Sequence, residues 1–272
     1  MTLPRKVWRI SCQEQLLLGE TLQDKWEFAL ESGFDGIELR GKGDFDFEAR
    51  LPELRKAQAD GVVMPSVCVD MRHFIGAFDD DLRADAVQQM CSQLSVIAEI
   101  EGELAMTPAS WGMFSRRLSR HEPPRSAEGD RSVLLEALQV LGEHAQKEGV
   151  RICLEPLNRY EDHMVNTLDQ AVDLCRATQL SSVRVVADTY HMNIEEMDPA
   201  ASLLRAQDWL GHVQVSDSNR MEPGAGHVDW SATLAALDAA SYDGWLAFEC
   251  RLSGPAKLVL PAAVSRLRQA SQ

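Results

Sequence analysis

Short apolar runs alternate with helix-like patterns along this chain, and that alternation constrains its fold more than any other feature. Between the runs, apolar residues recur at helical spacing, as at Leu134, Leu138 and Leu141. Regular alternation of strands and helices predicts a parallel sheet with crossover helices. Eight runs have the length and content of strands: residues 7–11, 36–40, 63–69, 103–106, 151–155, 183–188, 212–215 and 245–249.

Eight such repeats in 272 residues predict a single (β/α)₈ TIM barrel, with residues 1–272 forming one domain. The rival fold is an open, doubly wound sheet. The barrel is favoured because no glycine-rich phosphate-binding loop of the GxGxxG or P-loop type follows the first strand. A polar, arginine-rich segment at residues 115–130 is expected to be a long loop after strand four. It would serve either as a lid or as a solvated connection.

The composition argues against several classes of partner. A formal net charge of −15, from 42 acidic and 27 basic residues, opposes general binding to nucleic acid phosphates. The six cysteines are scattered and form no CxxC pair, which is typical of reduced thiols in a cytoplasm. No apolar run approaches the roughly 20 residues that cross a bilayer, and the N-terminal residues lack a signal-like stretch. We therefore expect a cytoplasmic protein that binds neither nucleic acid nor membranes.

Four oxygen-bearing side chains stand at or near the ends of the last four predicted strands: Glu155, Asp188, Gln214 and Glu249. The carboxyl ends of barrel strands converge on one mouth, so residues far apart in sequence can share an ion there. Three carboxylates and one amide oxygen suit Mg²⁺ or Mn²⁺. Any one of them alone could instead cap a helix or pair with an arginine. Four together favour a metal centre.

Further polar residues follow the same strands. Glu161 lies in the loop after strand five, and His191 lies three residues beyond Asp188, where it could bind metal or substrate. Asp217 and Arg220 lie just past strand seven. An arginine at this place is suited to orienting the oxygen atoms of a substrate.

Four more residues are candidates for the rim of the mouth or for contacts behind the ligands. His212 precedes Gln214 by two residues and shares its strand face, where a buried hydrogen-bonded role is favoured over metal ligation. Arg40 ends strand two and His73 follows strand three, where each could contact an anionic substrate or form a structural salt bridge. Trp111 could form an apolar wall over the substrate or pack against the rim.

The motifs LEPLNRYE, ADTYHMN, GHVQVSDSNRMEPGAGHVDW and the final FE resemble the xylose isomerase-like superfamily of sugar isomerases and epimerases. The likeness is strong over residues 151–250 and mainly architectural before them. It implies that Glu155 and Glu249 bind the metal and exchange protons with the substrate, and that Asp188 completes the carboxylate set. It also implies substrate contacts by three residues: Glu161, His191 and Arg220.

Gln214 separates two branches of that superfamily. The resemblance to ketose 3-epimerases would imply a histidine at this position. Glutamine in an HVQ segment followed by an EPG turn is similar instead to the hydroxypyruvate isomerase branch, whose ligands are Glu, Asp, Gln and Glu. The hydroxypyruvate isomerase-like branch is therefore the nearest expected, with the ketose 3-epimerases next.

Moving a carbonyl group, or inverting the carbon beside it, requires removal of a proton from carbon, and a metal can stabilise the resulting enediolate. We expect Glu155 and Glu249 to take and return that proton. The predicted protein is an isomerase or epimerase of a small sugar or hydroxy-keto acid. It would use one Mn²⁺ or Mg²⁺ ion, with Co²⁺ or Zn²⁺ as alternatives, and would form a homo-oligomer, a dimer or a tetramer.

Other functions on the same barrel remain open at this point. A metal-dependent dehydratase would begin with the same proton abstraction, so lyase chemistry on a polyol or keto sugar is the main alternative. A non-catalytic, metal-bound sugar-binding protein is a second one, although it would have no need of two acid/base glutamates. Apurinic endonucleases share the barrel, but the acidic charge opposes DNA binding.

Overall fold

A computed structural model describes residues 7–113 and 123–270 of the chain. Its strands are all parallel and close into one barrel in sequence order, which confirms the predicted fold class. They are β1 (Arg9–Gln13), β2 (Gly36–Lys42), β3 (Ser66–Asp70), β4 (Leu104–Pro108), β5 (Arg151–Glu155), β6 (Val183–Asp188), β7 (Leu210–Val215) and β8 (Trp245–Phe248).

Helices connect the strands on the outside of the barrel. They are α1 (Leu22–Glu31), α2 (Asp46–Ala49), α3 (Leu51–Ala59), α4 (Asp80–Glu99), α5 (Ala127–Glu148), α6 (Leu168–Thr178), α7 (Thr189–Glu195), α8 (Pro199–Ala206), α9 (Trp230–Ala239) and α10 (Ala256–Ala270). None of these described helices has the length and apolar content needed to span a bilayer.

The predicted element boundaries hold best in the second half of the barrel. Strands five and six were predicted at the bounds that β5 and β6 have, whereas β3 begins three residues later than predicted, just after Pro65. Glu249 lies one residue beyond β8. The predicted loop at residues 115–130 ends earlier than expected, because α5 begins at Ala127, where Ser126 caps it. Residues 115–122, half of the segment predicted as a lid or a solvated connection, lie outside the described residues.

Side chains along each strand point alternately into the barrel and outward toward the helices. On β2, Ile37 and Leu39 are fully buried in the main core, which lies between barrel and helices. Glu38, on the opposite face, bonds to side chains of β1, β3 and β7 and so lies inside the barrel. The interior therefore has a polar layer near the carboxyl ends of the strands.

A smaller apolar cluster fills the rest of the barrel interior. It consists of Leu104, Met106, Cys153 and Val186, with Cys68 packed against it. These residues lie beside the polar layer, since Leu104 is the register partner of Ser66 and Val186 that of His212. The interior is therefore polar on one side, around Glu38, and apolar on the other, around Met106 and Cys153.

Candidate active site

The barrel brings the four predicted ligand residues to one mouth. Glu155 ends β5, Asp188 ends β6, Gln214 is the penultimate residue of β7 and Glu249 follows β8 directly. The first three are almost fully buried, and the Glu249 side chain is 20% exposed. Asp188 also begins α7, because its carboxylate accepts a 2.7 Å hydrogen bond from the backbone N–H of Tyr190.

Arg220 places a positive charge beside the carboxylates of this mouth. Its Nη1 donates to Asp188 Oδ2 at 2.6 Å, and its Nη2 lies 2.9 Å from Glu249 Oε2. Its guanidinium also lies over the Tyr190 ring, 4.9 Å from the centroid. Burial opposes its charge, but Asp188 and Glu249 outweigh that effect and raise the pKa of Arg220 well above its usual value. One fixed positive charge therefore faces three carboxylates.

The pKa values of the three carboxylates are shifted in different directions. Burial raises the pKa of Glu155 well above its usual value, and the charges of Glu249 and Asp188 add to the effect. Burial likewise raises the pKa of Glu249 to about 8, although Arg220 opposes this. Burial also acts on Asp188, but Arg220 and His191 more than offset it and lower its pKa. Two glutamates that hold protons readily beside an ionised aspartate are suited to acid/base work.

His191 contributes a hydrogen-bond donor to the same place. Its Nδ1 accepts the backbone N–H of Asn158 at 3.0 Å, and burial lowers its pKa. The neutral ring with an accepting Nδ1 carries its proton on Nε2. That Nε2 lies 3.7 Å from Glu155 Oε1 and 3.9 Å from Asp188 Oδ2. Ligand atoms of these three residues lie within 4.8 Å of one another, yet the tautomer makes His191 a donor to oxygen rather than a metal ligand.

The amide of Gln214 completes the oxygen donors. Its Nε2 donates to Glu38 Oε1 at 3.1 Å and lies 3.6 Å from Cys68 Sγ. Its Oε1 is buried and has no hydrogen-bond partner in the described part of the chain. A buried carbonyl oxygen without a donor is costly unless something positive binds it. With Glu155, Asp188 and Glu249 beside it, the donor set fits a hard divalent cation.

Above the ligands is a polar cavity of about 470 Å³. An adjoining cavity of about 310 Å³ shares part of its lining and reaches Glu155 and His191. Trp111 lines both cavities and donates through Nε1 to Glu161 Oε2 at 3.1 Å. Arg40 lines both as well, and its Nε donates to Asp70 Oδ2 at 2.7 Å. These predicted rim residues therefore face the space above the four predicted ligand residues.

Three other candidates lie elsewhere. His73 pairs with Asp85 of α4 at 2.5 Å and lines neither cavity. Asp217 is buried behind the mouth, where it accepts hydrogen bonds from the loop after β7, including the Trp230 Nε1–H at 3.0 Å. His212 is fully buried below Gln214, with its Nε2 2.7 Å from Glu38 Oε2.

Glu38 is the residue that sequence reasoning missed. The pattern GIELR was interpreted only as a strand ending at Arg40. Its alternation held a signal, because Ile37 and Leu39 are the apolar face that a helix-covered strand must bury, which leaves Glu38 for the barrel interior. The matching alternation of His212 and Gln214 with Val213 and Val215 identifies the second strand of the same polar layer.

The loop after β7 and the segment after β8 are joined by backbone bonds beyond the barrel. The N–H of Arg251 donates to the carbonyl of Arg220 at 2.7 Å, and Met221 and Arg251 form a parallel bridge. Arg220 itself has a left-handed backbone, with φ at 63°. Its guanidinium is thus placed by a turn that is tied directly to the strand bearing Glu249.

Comparison with known proteins finds relatives over nearly the whole chain. A family model described as "Xylose isomerase-like TIM barrel" matches residues 26–270. A 3-dehydro-D-guloside 4-epimerase from Escherichia coli K12 is 36% identical over 245 residues, which cover 90% of this chain and 92% of that protein. An L-ribulose 3-epimerase from Mesorhizobium japonicum is 34% identical over 224 residues, covering 80% and 72% of the two chains.

Among solved structures, an apo 3-keto-D-glucoside 4-epimerase from E. coli superposes with a TM-score of 0.91. It is 35% identical in sequence, and the alignment covers 97% of this chain and 100% of that one.

Proposed function

The chain belongs to the xylose isomerase-like TIM barrel family, and we propose that it is a divalent-metal-dependent epimerase of a keto sugar, with Glu155 and Glu249 as its two proton carriers. The predicted family is confirmed, and so is the predicted isomerase class, in the form of an epimerase. The hydroxypyruvate isomerase-like branch stays a prediction, as does the homo-oligomer.

One observation carries the proposal: two glutamates, Glu155 buried and Glu249 with its side chain 20% exposed, lie at separate points of one mouth. Glu155 comes from β5 and Glu249 from β8, with β6 and β7 between them in the ring. They approach the cavity from different directions. Epimerisation needs such a pair, because one group removes a proton from one face of a carbon and the other returns a proton to the opposite face.

The residues around the glutamates would prepare the substrate. A divalent ion held by Glu155, Asp188, Gln214 and Glu249 would supply Lewis-acid stabilisation of the charge that develops beside the reacting carbon. His191 can donate its Nε2–H to a substrate oxygen at the same place. Arg220 holds Asp188 ionised and keeps the carboxylate of Glu249 in position.

We propose a keto-glycoside, or a keto sugar of similar size, as the substrate class. The relative that aligns over nine-tenths of this chain is named for a 3-dehydro-D-guloside, and the similar solved structure is named for a 3-keto-D-glucoside. The 470 Å³ cavity supports that choice because hydrogen-bonding side chains line it beyond the ligands: Gln15, Arg40, Glu161, Asn219 and Arg251. Such groups can bind the hydroxyl groups of a sugar far from its reacting carbon.

The test is solvent deuterium exchange with Glu155→Gln and Glu249→Gln, supplied with each epimer of a 3-keto-glucoside and with Mn²⁺. Each variant should lose about 10²- to 10⁴-fold in turnover, since each lacks one proton carrier. Each should still label one epimer, the two variants labelling opposite ones, because the remaining glutamate reaches only its own face.

The matched control is Glu103→Gln, the same chemical change at the amino-terminal end of β4, where Glu103 pairs with Arg9 and Arg151. It should exchange both epimers at the rate of the unmodified protein. Wild-type exchange in both mouth variants would overturn the assignment of the glutamates. Loss of water from the substrate during exchange would show dehydration instead of epimerisation.

A further inference from the structure

Below the mouth, one buried carboxylate receives four hydrogen bonds. Glu38 Oε1 accepts from Gln13 Nε2 and from Gln214 Nε2, both at 3.1 Å. Glu38 Oε2 accepts from the Ser66 hydroxyl at 2.8 Å and lies 2.7 Å from His212 Nε2. Glu38 is fully buried and lines neither cavity above the ligands, so it touches no substrate. Its four partners come from β1, β3 and β7.

This network determines which end of the Gln214 amide faces the mouth. A carboxylate accepts hydrogen bonds and cannot donate them, so only the NH₂ end of the amide can face Glu38. The carbonyl oxygen must then point the other way, and it is this buried Oε1 that has no partner among the described residues. An unpaired acceptor is what a cation requires.

The mouth by itself would favour the opposite orientation. Asp188 is the register neighbour of Gln214 across β6 and β7, and Glu155 and Glu249 lie at the same mouth. Three carboxylates attract an amide NH₂ and repel its carbonyl oxygen. A free amide at this position would therefore turn its nitrogen toward the site and offer no oxygen to an ion.

We propose that Glu38 is a positioning residue that holds the Gln214 amide with its carbonyl oxygen directed at the metal site. The inference rests on the proposed function, because it takes Gln214 to be a metal ligand. Glu38 acts only through Gln214 and has no part in proton transfer. Removing its acceptor should therefore weaken metal binding before it affects any chemical step.

The experiment measures the Mn²⁺ dissociation constant by the electron paramagnetic resonance signal of free Mn²⁺, with no substrate present. Gln214→Ala and Glu38→Leu, which leaves no acceptor for the Gln214 NH₂, should each weaken Mn²⁺ binding by about 10- to 100-fold. Ser66→Ala, which removes a different donor from the same carboxylate, should stay within about twofold of the unmodified protein. Melting curves in EDTA check that each variant is folded.

A second comparison of Mn²⁺ binding, made in a Gln214→Glu background, distinguishes positioning of the amide from a general structural role of Glu38. In Gln214→Glu, two carboxylates face each other at the Glu38 contact, whereas Glu38→Gln in that background supplies an amide N–H that one oxygen of the new glutamate can accept. Glu38→Gln should therefore strengthen Mn²⁺ binding by about tenfold in the Gln214→Glu background, whereas Glu38→Leu weakens it in the natural background. If Glu38→Leu does not fold, the comparison of Gln214→Glu with the double variant remains decisive.

The outcomes separate the two proposals. Unchanged Mn²⁺ binding by Gln214→Ala would overturn the ligand assignment in the proposed function, and the positioning role with it. Weak binding by Gln214→Ala together with unchanged binding by Glu38→Leu would overturn the positioning role alone. Equal or weaker binding by the double variant than by Gln214→Glu would also overturn it.

Discussion

The two halves of the barrel, β1–β4 and β5–β8, differ in how the charged side chains at the mouth are paired. In the first half, carboxylates are matched by basic side chains: Arg50 bonds to both oxygens of Glu14 at 2.8 and 2.9 Å, with Lys25 nearby, and Arg40 bonds to Asp70. In the second half, Glu155, Asp188 and Glu249 share one cation among the described residues, Arg220. The first arrangement is complete in itself, and the second has an excess of negative charge.

The difference shows where stability and chemistry reside. Paired charges stabilise the β1–β4 wall, and Arg40 of that wall also lines both cavities. In β5–β8, burial and neighbouring charges raise the pKa values of Glu155 and Glu249, and the carboxylates retain oxygen atoms that can bind a cation. Changes in the second half should therefore affect catalysis most, and changes in the first half should affect stability, substrate binding or, at Glu38, metal binding.

The largest effect is expected for Arg220→Lys. One ammonium group cannot bond to Asp188 and Glu249 in the geometry of the guanidinium. At least one of the two carboxylates therefore loses its ion pair and its fixed position. We expect kcat/KM to fall about 100-fold. The free energy of unfolding in EDTA should fall by about 3 kcal/mol. Steady-state kinetics and urea denaturation measure the two effects.

The matched change in the first half is Arg50→Lys. Arg50 bonds to Glu14 outside the cavity lining, so this variant should lose stability while its kcat/KM stays within about twofold. Equal kinetic losses in the two variants would abolish the distinction between the halves.

A smaller effect, on stability alone, is expected for Glu14→Gln. Burial raises the pKa of Glu14, but its bonds to Arg50 more than offset this, so the net pKa lies below the usual 4.5. A carboxyl with a lowered folded pKa stabilises the fold above its unfolded pKa and loses that contribution as the pH falls through the folded value. The variant should be about 2 kcal/mol less stable at pH 7.

The stability difference between Glu14→Gln and the unmodified protein should narrow below about pH 4.5. Urea denaturation at several pH values between 3 and 7 measures it. A difference that grows toward low pH would mean that Glu14 is not held ionised by Arg50.

The sequence predicted the second half of the barrel better than the first for the same physical reason. The polar ends of β5 and β6 follow uninterrupted apolar runs, so Glu155 and Asp188 mark their own positions. Glu38 lies within a strand, where a charged residue is ordinarily on a solvated face, and only the closed barrel makes that face interior. The tautomer of His191 depends on the backbone of Asn158, which no pattern in the sequence relates to it.

A moderate effect on substrate binding is expected for Trp111→Ala. The indole is 59% exposed, lines both cavities and donates to Glu161. Its removal should raise KM about fivefold with kcat nearly retained, since the described contacts join it to none of Glu155, Asp188, Gln214 and Glu249. Trp111→Phe keeps a ring but loses the N–H, so its KM should lie between those of the unmodified protein and Trp111→Ala. A lower kcat at unchanged KM would place Trp111 in the chemical step instead.

The smallest effect is expected for His73→Asn. This side chain faces Asp85 of α4 and lines neither cavity, so KM and kcat should both stay within about twofold. Arg40→Ala is the informative comparison because Arg40 lines both cavities from the same half of the barrel. If His73→Asn raised KM as much as Arg40→Ala, the loop after β3 would also be part of the substrate-binding surface.

The backbone link between the β7 loop and the segment after β8 limits how this enzyme can be redesigned. Arg220 and Arg251 share a hydrogen bond, and Met221 pairs with Arg251, so the two segments form one small extension of the sheet. Loops of TIM barrels are commonly exchanged one at a time to change specificity. Here residues 216–221 and 249–251 have to be transplanted together, because a foreign loop after β7 would leave Glu249 without the backbone that keeps Arg220 within reach of it.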